Sequence, residues 1–376
     1  MIKRYIIDEL LDKLKNSNKI IIIYGARQVG KTTLAKEILK RSEFKTLAIN
    51  GDEKKYDDIL SSQDLDKLKS LVSGYELLFI DEAQRLENIG VNLKILHDNM
   101  PGLKIMVTGS SSFDLANKIK EPLTGRTWTY TLYPLSFLEL APDLNAYELT
   151  NKLEQFLIYG SYPEVYTLPN AADKRKLLAE ITSSYLYKDI LELESIRKSD
   201  KISKLLKLLA FQIGQEISVR ELADSLEMSA ITVIRYMDLL EKAYVIFRLS
   251  ACSKNLRKEI SKKDKVYFYD LGIRNAIIDN FNELSERTDS GSLFENLLIS
   301  ERLKRNDYRG VPAQRYFWRV YTGAEIDYIE ENAGVYSAYE FKLSKNKARR
   351  PDSFLKVYQN ASFEVINKNN FLDFVL

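Results

Sequence analysis

The stretch Gly25-Ala-Arg-Gln-Val-Gly-Lys-Thr32 constrains the fold of this chain more than any other. It follows the apolar run Ile20–Tyr24, which is rich in β-branched residues and predicts a short buried strand. It precedes residues 33–41, whose apolar residues recur at helical spacing. A glycine loop between a strand and a helix is the context in which this spacing binds phosphate. The sequence therefore predicts an α/β domain with a phosphate site at the start of a helix.

The residue types in the loop suit a nucleoside triphosphate. The glycines allow backbone amides to approach phosphate oxygens, and the helix N-terminus adds positive potential. We expect the Lys31 ammonium to reach the β- and γ-phosphates and the Thr32 hydroxyl to bind Mg²⁺. A glycine turn without a ligand is the plain alternative. The predicted nucleotide-binding residues of the loop are Gly25, Gln28, Val29, Gly30, Lys31, Thr32 and Thr33.

A second buried strand, at residues 77–80, ends in the acidic pair Asp81-Glu82. Ligands bind at the carboxyl ends of strands in an open parallel sheet, so this pair should face the phosphate loop. We expect Asp81 to hold Mg²⁺, and Glu82 to polarise the attacking water. An acidic strand end that merely faces solvent is the alternative.

Three polar residues farther along are further candidates for the same site. Thr108 and Ser110 end the next strand, where a hydroxyl could reach the γ-phosphate or only cap a helix. Arg126 precedes the strand at 128–132 and could neutralise γ-phosphate charge in its own subunit or in a neighbour. A solvated arginine is the alternative for Arg126.

These motifs carry a family resemblance. GARQVGKTTL, LLFIDEAQRL, VTGSSS and LTGRTWTYTLYPLSFLEL resemble a widespread prokaryotic AAA-type ATPase family, whose members carry a C-terminal domain with a nuclease-like fold. The resemblance implies that Lys31, Thr32, Asp81 and Glu82 serve ATP and Mg²⁺. It also implies a parallel-sheet ATPase domain with a helical lid. The use made of ATP is left open.

Residues 202–249 and 265–269 predict three helices and a two-stranded wing, the pattern of a winged helix-turn-helix. Ser218 and Glu221 form a capping-box pattern at the start of the second helix. Such a module binds DNA in some proteins and partner proteins in others. The loop between the wing strands could neutralise DNA phosphates with Lys254, Arg257, Lys258, Lys262 and Lys263.

The last third contains a possible second metal site. Alternation along a strand puts Glu340 and Lys342 on one face, within reach of Asp327 on an adjoining strand. Carboxylates beside a lysine can bind Mg²⁺ and activate water for phosphodiester cleavage. The order resembles the PD-(D/E)xK nuclease superfamily, in which Glu295 matches the usual additional acid. We therefore expect Glu295, Asp327 and Glu340 to bind metal, and Asp327, Glu340 and Lys342 to be catalytic. Alternating charge on an exposed strand is the alternative.

The predicted organisation has four parts. They are an AAA-type ATPase domain at 1–141, a helical lid at 142–200, a winged helix-turn-helix at 201–270, and a small α/β restriction-endonuclease-like domain at 271–376. The net charge of +3 is too mild to indicate nucleic acid binding by itself. A single cysteine, the lack of a signal-peptide pattern and the lack of a membrane-spanning run favour the cytoplasm.

The sequence thus favours an ATPase that acts on or with DNA and has a Mg²⁺-dependent nuclease-like domain. One alternative is an ATP-dependent switch whose C-terminal part binds protein or DNA without cleaving it. A phosphotransferase is disfavoured because Asp81-Glu82 supplies a water-activating acid and no acceptor site is visible. Homo-oligomers would follow if Arg126 acted on a neighbouring subunit.

Overall fold

The computed structural model of this chain describes residues 2–109, 123–186, 199–252, 263–320, 323–344 and 348–376. Two compact units are present. The first is Met1–Tyr133 with Lys242–Tyr244, and the second is Pro134–Glu241 with Val245–Leu376. The sequence predicts four parts, whereas the structure groups the lid, the helix-turn-helix and the C-terminal part into one unit. No helix in the described ranges is long and apolar enough to cross a membrane.

The first unit is built on a five-stranded parallel sheet in the order β2-β3-β4-β1-β5. The strands β1 and β3 are buried along their whole length, which explains their continuous apolar sequences. The sequence predicts strands at residues 20–24, 46–50, 77–80, 103–110 and 128–132, and all five are confirmed to within two residues at their ends. Their bounds are β1 Ile20–Tyr24, β2 Thr46–Asn50, β3 Leu77–Asp81, β4 Lys104–Gly109 and β5 Thr127–Thr131.

Helices follow the strands of this sheet and cover it. The sequence of residues 1–17 predicts an amphipathic helix with Ile6, Leu10, Leu11 and Leu14 on one face. This helix is confirmed, but it begins only at Ile7, and it buries Ile7, Leu10 and Leu14. The bounds are α1 Ile7–Asn16, α2 Lys31–Arg41, α3 Asp57–Leu60, α4 Leu65–Val72 and α5 Ile89–Asn99, with 3₁₀ turns at Lys54–Tyr56 and Ala83–Arg85.

The second unit contains a six-stranded mixed sheet in the order β11-β10-β9-β8-β6-β7. Pairs β6–β7, β8–β9 and β9–β10 are antiparallel, and pairs β6–β8 and β10–β11 are parallel. The strands are β6 Ile246–Ala251, β7 Lys265–Phe268, β8 Gln314–Arg319, β9 Glu325–Asn332, β10 Val335–Phe341 and β11 Ala361–Ile366.

The β6–β7 hairpin belongs to this sheet. Ser250 and Ala251 of β6 pair in parallel with Tyr316 and Phe317 of β8, and the Cys252 amide donates to the Phe317 carbonyl at 2.6 Å. The sequence predicts this hairpin as the wing of a separate domain ending at residue 270. The hairpin is confirmed, but its outer edge is covered by a strand that lies far along the chain.

Helices make up the rest of the second unit. The three helices predicted for residues 202–240 are confirmed as α10, α11 and α12, and the Ser218 hydroxyl accepts from the Glu221 amide at the start of α11. The helix bounds are α6 Phe137–Leu140, α7 Ala146–Tyr159, α8 Pro163–Thr167, α9 Ala171–Glu180, α10 Ser199–Phe211, α11 Val219–Leu226, α12 Ala230–Lys242, α13 Leu271–Ile277, α14 Ser290–Tyr308, α15 Asp352–Val357 and α16 Phe371–Val375, with a π-helical turn at Ile181–Leu186 and a 3₁₀ turn at Leu284–Glu286.

At Phe268, the outer edge of β7 is closed by a side chain of α14. The Asn296 carboxamide accepts from the Phe268 amide at 2.7 Å and donates to the Phe268 carbonyl at 2.8 Å. Asn296 is completely buried, so it satisfies two backbone groups that have no water to bond with. Earlier on this edge, the Gly214 amide donates to the Val266 carbonyl and Glu216 pairs with Lys265. The Asn296 side chain therefore completes the edge at its end and fixes α14 beside the hairpin.

We predict that Asn296→Leu destabilises the second unit by about 2–5 kcal/mol, because it leaves two buried backbone groups unpaired. Urea unfolding should be followed by the fluorescence of Trp318, which lies in this unit, in a Trp128→Phe background. Asn151→Leu, on the exposed surface of α7, is the matched control. Equal unfolding midpoints for the two leucine variants would contradict the role given to Asn296.

Candidate functional site

The phosphate loop in the first unit has the backbone that its glycines predict. Gly30 has a φ of 97° and Gln28 a φ of 62°, both in the left-handed region, just before α2 begins at Lys31. A Cβ atom on Gly25 would lie 2.2 Å from the Leu132 carbonyl oxygen. No side chain fits at Gly25, and the loop is closely supported by the segment after β5.

The Lys31 ammonium is held against this loop. Its Nζ donates to the carbonyl oxygens of Gly25 and Ala26, each at 2.9 Å, and the residue is buried. The charge is therefore held at the concave side of the loop by two backbone carbonyls. A phosphate group is the ligand that such a buried cation and the helix N-terminus would stabilise.

Asp81 connects three elements at the carboxyl edge of the sheet. The Thr32 hydroxyl, at the start of α2, donates to Asp81 Oδ2 at 2.7 Å. The Thr108 hydroxyl, near the end of β4, donates to Asp81 Oδ1, and the Glu82 amide lies 3.2 Å from the same oxygen. Thr32 and Asp81 thus meet as the sequence predicts, while Thr108 orients the carboxylate and has a different role from the predicted phosphate contact.

Glu82 lies where the chain turns sharply after β3. Its φ of 51° is left-handed, and its carboxylate accepts a hydrogen bond from the Gln84 side-chain amide. The turn is packed closely against the end of β2, because a Cβ atom on Gly51 would lie 2.5 Å from the Glu82 carbonyl oxygen. The carboxylate is therefore held beside Asp81 by both backbone and side chain.

These residues fit a magnesium ion. Hydroxyl and carboxylate oxygens are the protein ligands that Mg²⁺ prefers, and Mg²⁺ retains several waters and substrate oxygens. Thr32 and Asp81 supply one oxygen of each kind at the mouth of the loop. They would hold the ion next to phosphates bound by the loop amides and Lys31, if the loop takes a nucleotide.

The remaining predicted residues of this site have different outcomes. Val29 is buried within the loop, and Thr33 is exposed on α2. Ser110 lies outside the described residues. Arg126 lies far from the phosphate loop. Its carbonyl accepts a hydrogen bond from the Ile20 amide at the amino end of β1, whereas the phosphate loop follows the carboxyl end of the same strand.

Arg126 forms a bidentate ion pair at that opposite edge. Its Nε and one terminal nitrogen donate to the two Asp98 oxygens at 2.8 and 3.0 Å. Hydrogen bonding to Arg126 lowers the pKa of Asp98 to about 2. The prediction that Arg126 reaches the γ-phosphate of a nucleotide bound to the same chain is therefore wrong, because the length of β1 lies between Arg126 and the phosphate loop. Its action on a neighbouring subunit stays a prediction.

The second predicted site lies in the other unit, around the amino end of β9. The Glu340 carboxylate is paired with the Lys342 ammonium at 2.7 Å, and Asp327 Oδ2 accepts from the Phe341 amide at 2.8 Å. Two residues of β9, Asp327 and Tyr328, face the single residue Phe317 of β8. This β-bulge changes the direction of the Asp327 side chain, and bulges are common beside functional sites.

A buried lysine that the sequence analysis does not single out occupies the centre of this cluster. Lys265, the first residue of β7, has its Nζ 2.6 Å from Glu325 Oε1 and 3.4 Å from Glu295 Oε1. The Tyr267 hydroxyl also donates to Glu295 Oε1, at 2.6 Å. Glu295 is therefore engaged with a cation and a phenol of β7.

The pKa values follow from this crowding. Burial raises the pKa of Glu295 to about 7, although the Lys265 ammonium opposes this shift. Burial likewise raises the pKa of Asp327, and burial followed by repulsion from Asp327 raises that of Glu340. Burial disfavours the charged form of Lys265, but attraction to Glu295 and Glu325 outweighs it and raises the Lys265 pKa.

The expected magnesium centre of Glu295, Asp327 and Glu340 is not assembled. In the parts of the chain that the structure describes, no three His, Cys, Asp or Glu residues are grouped so that they could hold a metal ion. The physical reason is that Lys265 and Lys342 lie between or beside these carboxylates. Lys342 belongs to the predicted motif, but Lys265 does not, and a cluster whose charge is already balanced by this buried ammonium does not fit a divalent cation.

Three important residues carry no motif in the sequence. Arg4 is buried and donates to the carbonyls of Val29 at 2.6 Å and Tyr133 at 2.5 Å, which supports the phosphate loop from behind. Lys265 and Glu325 meet only through the tertiary fold. Arg4 precedes an amphipathic helix, and Lys265 opens an apolar strand. Basic residues at such positions are usually exposed to solvent, so the sequence gives no sign that these two are buried.

Comparison with known proteins gives matches over most of the chain. Residues 17–141 match a family described as an AAA domain, residues 150–284 a domain of unknown function, DUF8612, and residues 290–371 a domain of unknown function, DUF4143. The first match covers the sheet that carries the phosphate loop, and it supports the predicted AAA-type ATPase domain.

Similar proteins span most of this chain. An uncharacterized protein of Methanocaldococcus jannaschii is 27% identical over 376 residues and covers 93% of this chain and 81% of its own length. An uncharacterized protein of Mycobacterium tuberculosis is 26% identical, covering 86% and 70%. A Walker-type ATPase of Pyrococcus abyssi aligns with 74% of this chain and 96% of its own, at 16% identity and a TM-score of 0.49.

We predict that Arg4→Met destabilises the first unit by about 2–4 kcal/mol, since it removes charge-assisted hydrogen bonds from buried carbonyls. Trp128 fluorescence in a Trp318→Phe background should report the urea unfolding, and amide exchange at Gln28–Gly30 should become faster. The control is Arg41→Met, whose ion pair with Glu37 is at the surface and should contribute less than about 1 kcal/mol. Unchanged exchange in the loop would contradict the supporting role of Arg4.

Proposed function

We propose that this protein binds ATP with Mg²⁺ and hydrolyses it. The observation that carries the proposal is the contact between Thr32 and Asp81 at 2.7 Å, beside the buried Lys31 ammonium. This arrangement brings a phosphate-binding cation and two magnesium ligands to one edge of the sheet. The match of residues 17–141 to the AAA domain family supports the same proposal.

Each residue has a distinct part in this mechanism. The loop amides and Lys31 would bind and orient the β- and γ-phosphates, while Thr32 and Asp81 would hold Mg²⁺, which would supply positive charge against the negative charge that develops on the transferred phosphate. Glu82 accepts a proton from, or orients, the water that attacks the γ-phosphate. Thr108 fixes the Asp81 carboxylate through its hydroxyl, and Gln84 fixes the Glu82 carboxylate.

We predict that Glu82→Gln keeps ATP affinity but slows hydrolysis by about 100-fold or more, because the amide cannot accept a proton. Binding should be measured with a fluorescent ATP analogue and turnover by phosphate release. Glu87→Gln, exposed beyond the same turn, is the control and should retain full turnover. Wild-type turnover in Glu82→Gln would remove Glu82 from the mechanism.

Lys31→Met separates binding from chemistry in the same assays. It should lose ATP binding, since the buried cation is gone, whereas Lys36→Met, exposed one turn farther along α2, should bind normally. The lack of any ATP affinity in wild-type protein with Mg²⁺ would overturn the proposed function as a whole.

We further propose that the second unit couples this ATPase to DNA without cleaving it. The three helices α10–α12 precede the β6–β7 hairpin, and the amino-terminal part of α12 is exposed at Ile231, Ile234 and Arg235. Exposed side chains at this end of a helix can contact base edges and thymine methyl groups in a major groove. The basic loop predicted to neutralise phosphates lies outside the described residues except for Lys263.

We predict that the full chain binds duplex DNA with an affinity that falls steeply as salt rises. Arg235→Gln should weaken binding and lower the salt slope by about one if Arg235 contacts a phosphate. Fluorescence anisotropy with a labelled duplex measures both, and Lys176→Gln, exposed on α9, is the matched control. Salt-insensitive binding, or none, would favour a protein partner at Ile231 and Ile234.

A further inference from the structure

Lys265 has the surroundings of a bound cation. It is only 3% exposed, and its ammonium lies 2.6 Å from Glu325 and 3.4 Å from Glu295. On another side, the ammonium lies 5.3 Å from the centre of the Phe317 ring. A single positive charge is therefore surrounded by carboxylates and one aromatic face, in a place closed to bulk water.

The other acids of the cluster also have partners from the chain itself. The Tyr267 hydroxyl donates to Glu295 at 2.6 Å, and the Phe341 amide donates to Asp327 at 2.8 Å. Glu340 is paired with Lys342 at 2.7 Å. The four carboxylates thus share two ammonium groups and two further donors, and Glu325 also lies 3.9 Å from the Arg319 guanidinium, so each carboxylate has at least one donor at hydrogen-bond or ion-pair distance.

A divalent cation would have to compete with these partners. To collect Glu295, Asp327 and Glu340 around Mg²⁺, the cluster would need to draw Glu295 away from the Lys265 ammonium, which lies 3.4 Å from it. Two positive charges in one buried place repel each other strongly, and Lys265 would lose one of its two counter-ions without reaching water. The near-octahedral oxygen shell that Mg²⁺ requires is also incompatible with an ammonium among its ligands.

We infer that Lys265 is a resident counter-ion that takes the place of a divalent metal ion in this cluster. The cluster is therefore complete without metal, and it joins β7, α14 and β9 by internal ion pairs. The second unit then has no metal-activated water for phosphodiester cleavage at these residues. The inference does not depend on the ATPase activity of the first unit.

Binding of Mn²⁺ to the full, nucleotide-free chain tests the inference. Electron paramagnetic resonance should count bound Mn²⁺ in wild type and in Asp327→Asn, and any Mn²⁺ at Thr32 and Asp81 contributes equally to both. We expect the two titrations to coincide. If Asp327→Asn instead lost one Mn²⁺ per chain, the wild-type cluster would hold a metal ion and the inference would be wrong. This comparison requires no change at Lys265.

Removal of the ammonium provides the opposite test. Lys265→Met should gain about one Mn²⁺ per chain, and Lys265→Met/Asp327→Asn should lose that gain. Lys356→Met, exposed on α15, is the control and should bind as wild type does. A folded Lys265→Met protein without additional Mn²⁺ would show that Lys265 is not what excludes the metal. If Lys265→Met does not fold, the wild-type and Asp327→Asn titrations decide the question.

Discussion

The carboxylate of Asp81 is the interaction on which the proposed nucleotide site depends. It accepts hydrogen bonds from the hydroxyl groups of Thr32, at the start of α2, and Thr108, in β4, while Asp81 itself is the last residue of β3. Three elements that the chain visits at distant points are thereby brought into register at one edge. A parallel sheet makes this possible because its strands all end on the same side, where the loops remain free to carry polar groups.

The two units treat buried carboxylates in contrasting ways. In the first, Asp81 is held by neutral hydroxyl groups, which can remain as ligands when a cation arrives. In the second, Glu295, Glu325 and Glu340 are held by ammonium groups, which a cation would have to displace. The same residue types thus favour ion binding in one place and internal charge balance in the other. The difference lies in the partner's charge.

Local pattern was enough to predict the strands and the phosphate loop. The buried runs at Ile20–Tyr24 and Leu77–Asp81 are continuous and flanked by turns, so both their type and their position could be read directly. The Thr32–Asp81 contact followed from the rule for parallel sheets. Arg126 was misplaced within its own chain because a residue before a strand lies at the opposite edge from one that follows it.

The second cluster could be predicted only in part. Glu340 and Lys342 lie on one strand, so alternation places them together. The contacts of Lys265 with Glu295 and Glu325 depend on how β7 and β9 approach α14, which no local pattern specifies. The β-bulge at Asp327 also depends on the pairing of two strands. The tertiary structure, and not the sequence motif, therefore determines that these carboxylates surround the Lys265 ammonium.

The pairing of β6 with β8 has a consequence for how the polypeptide matures during translation. The hairpin is synthesised well before β8 at Gln314–Arg319. The backbone amides and carbonyls of β6 that bond to β8 in the folded protein therefore have no strand to pair with until β8 has been made. An open edge of this kind can recruit other chains. Closure of the sheet through such a non-local contact is expected to be slow relative to helix formation, so this edge stays exposed in the nascent protein until β8 has been made.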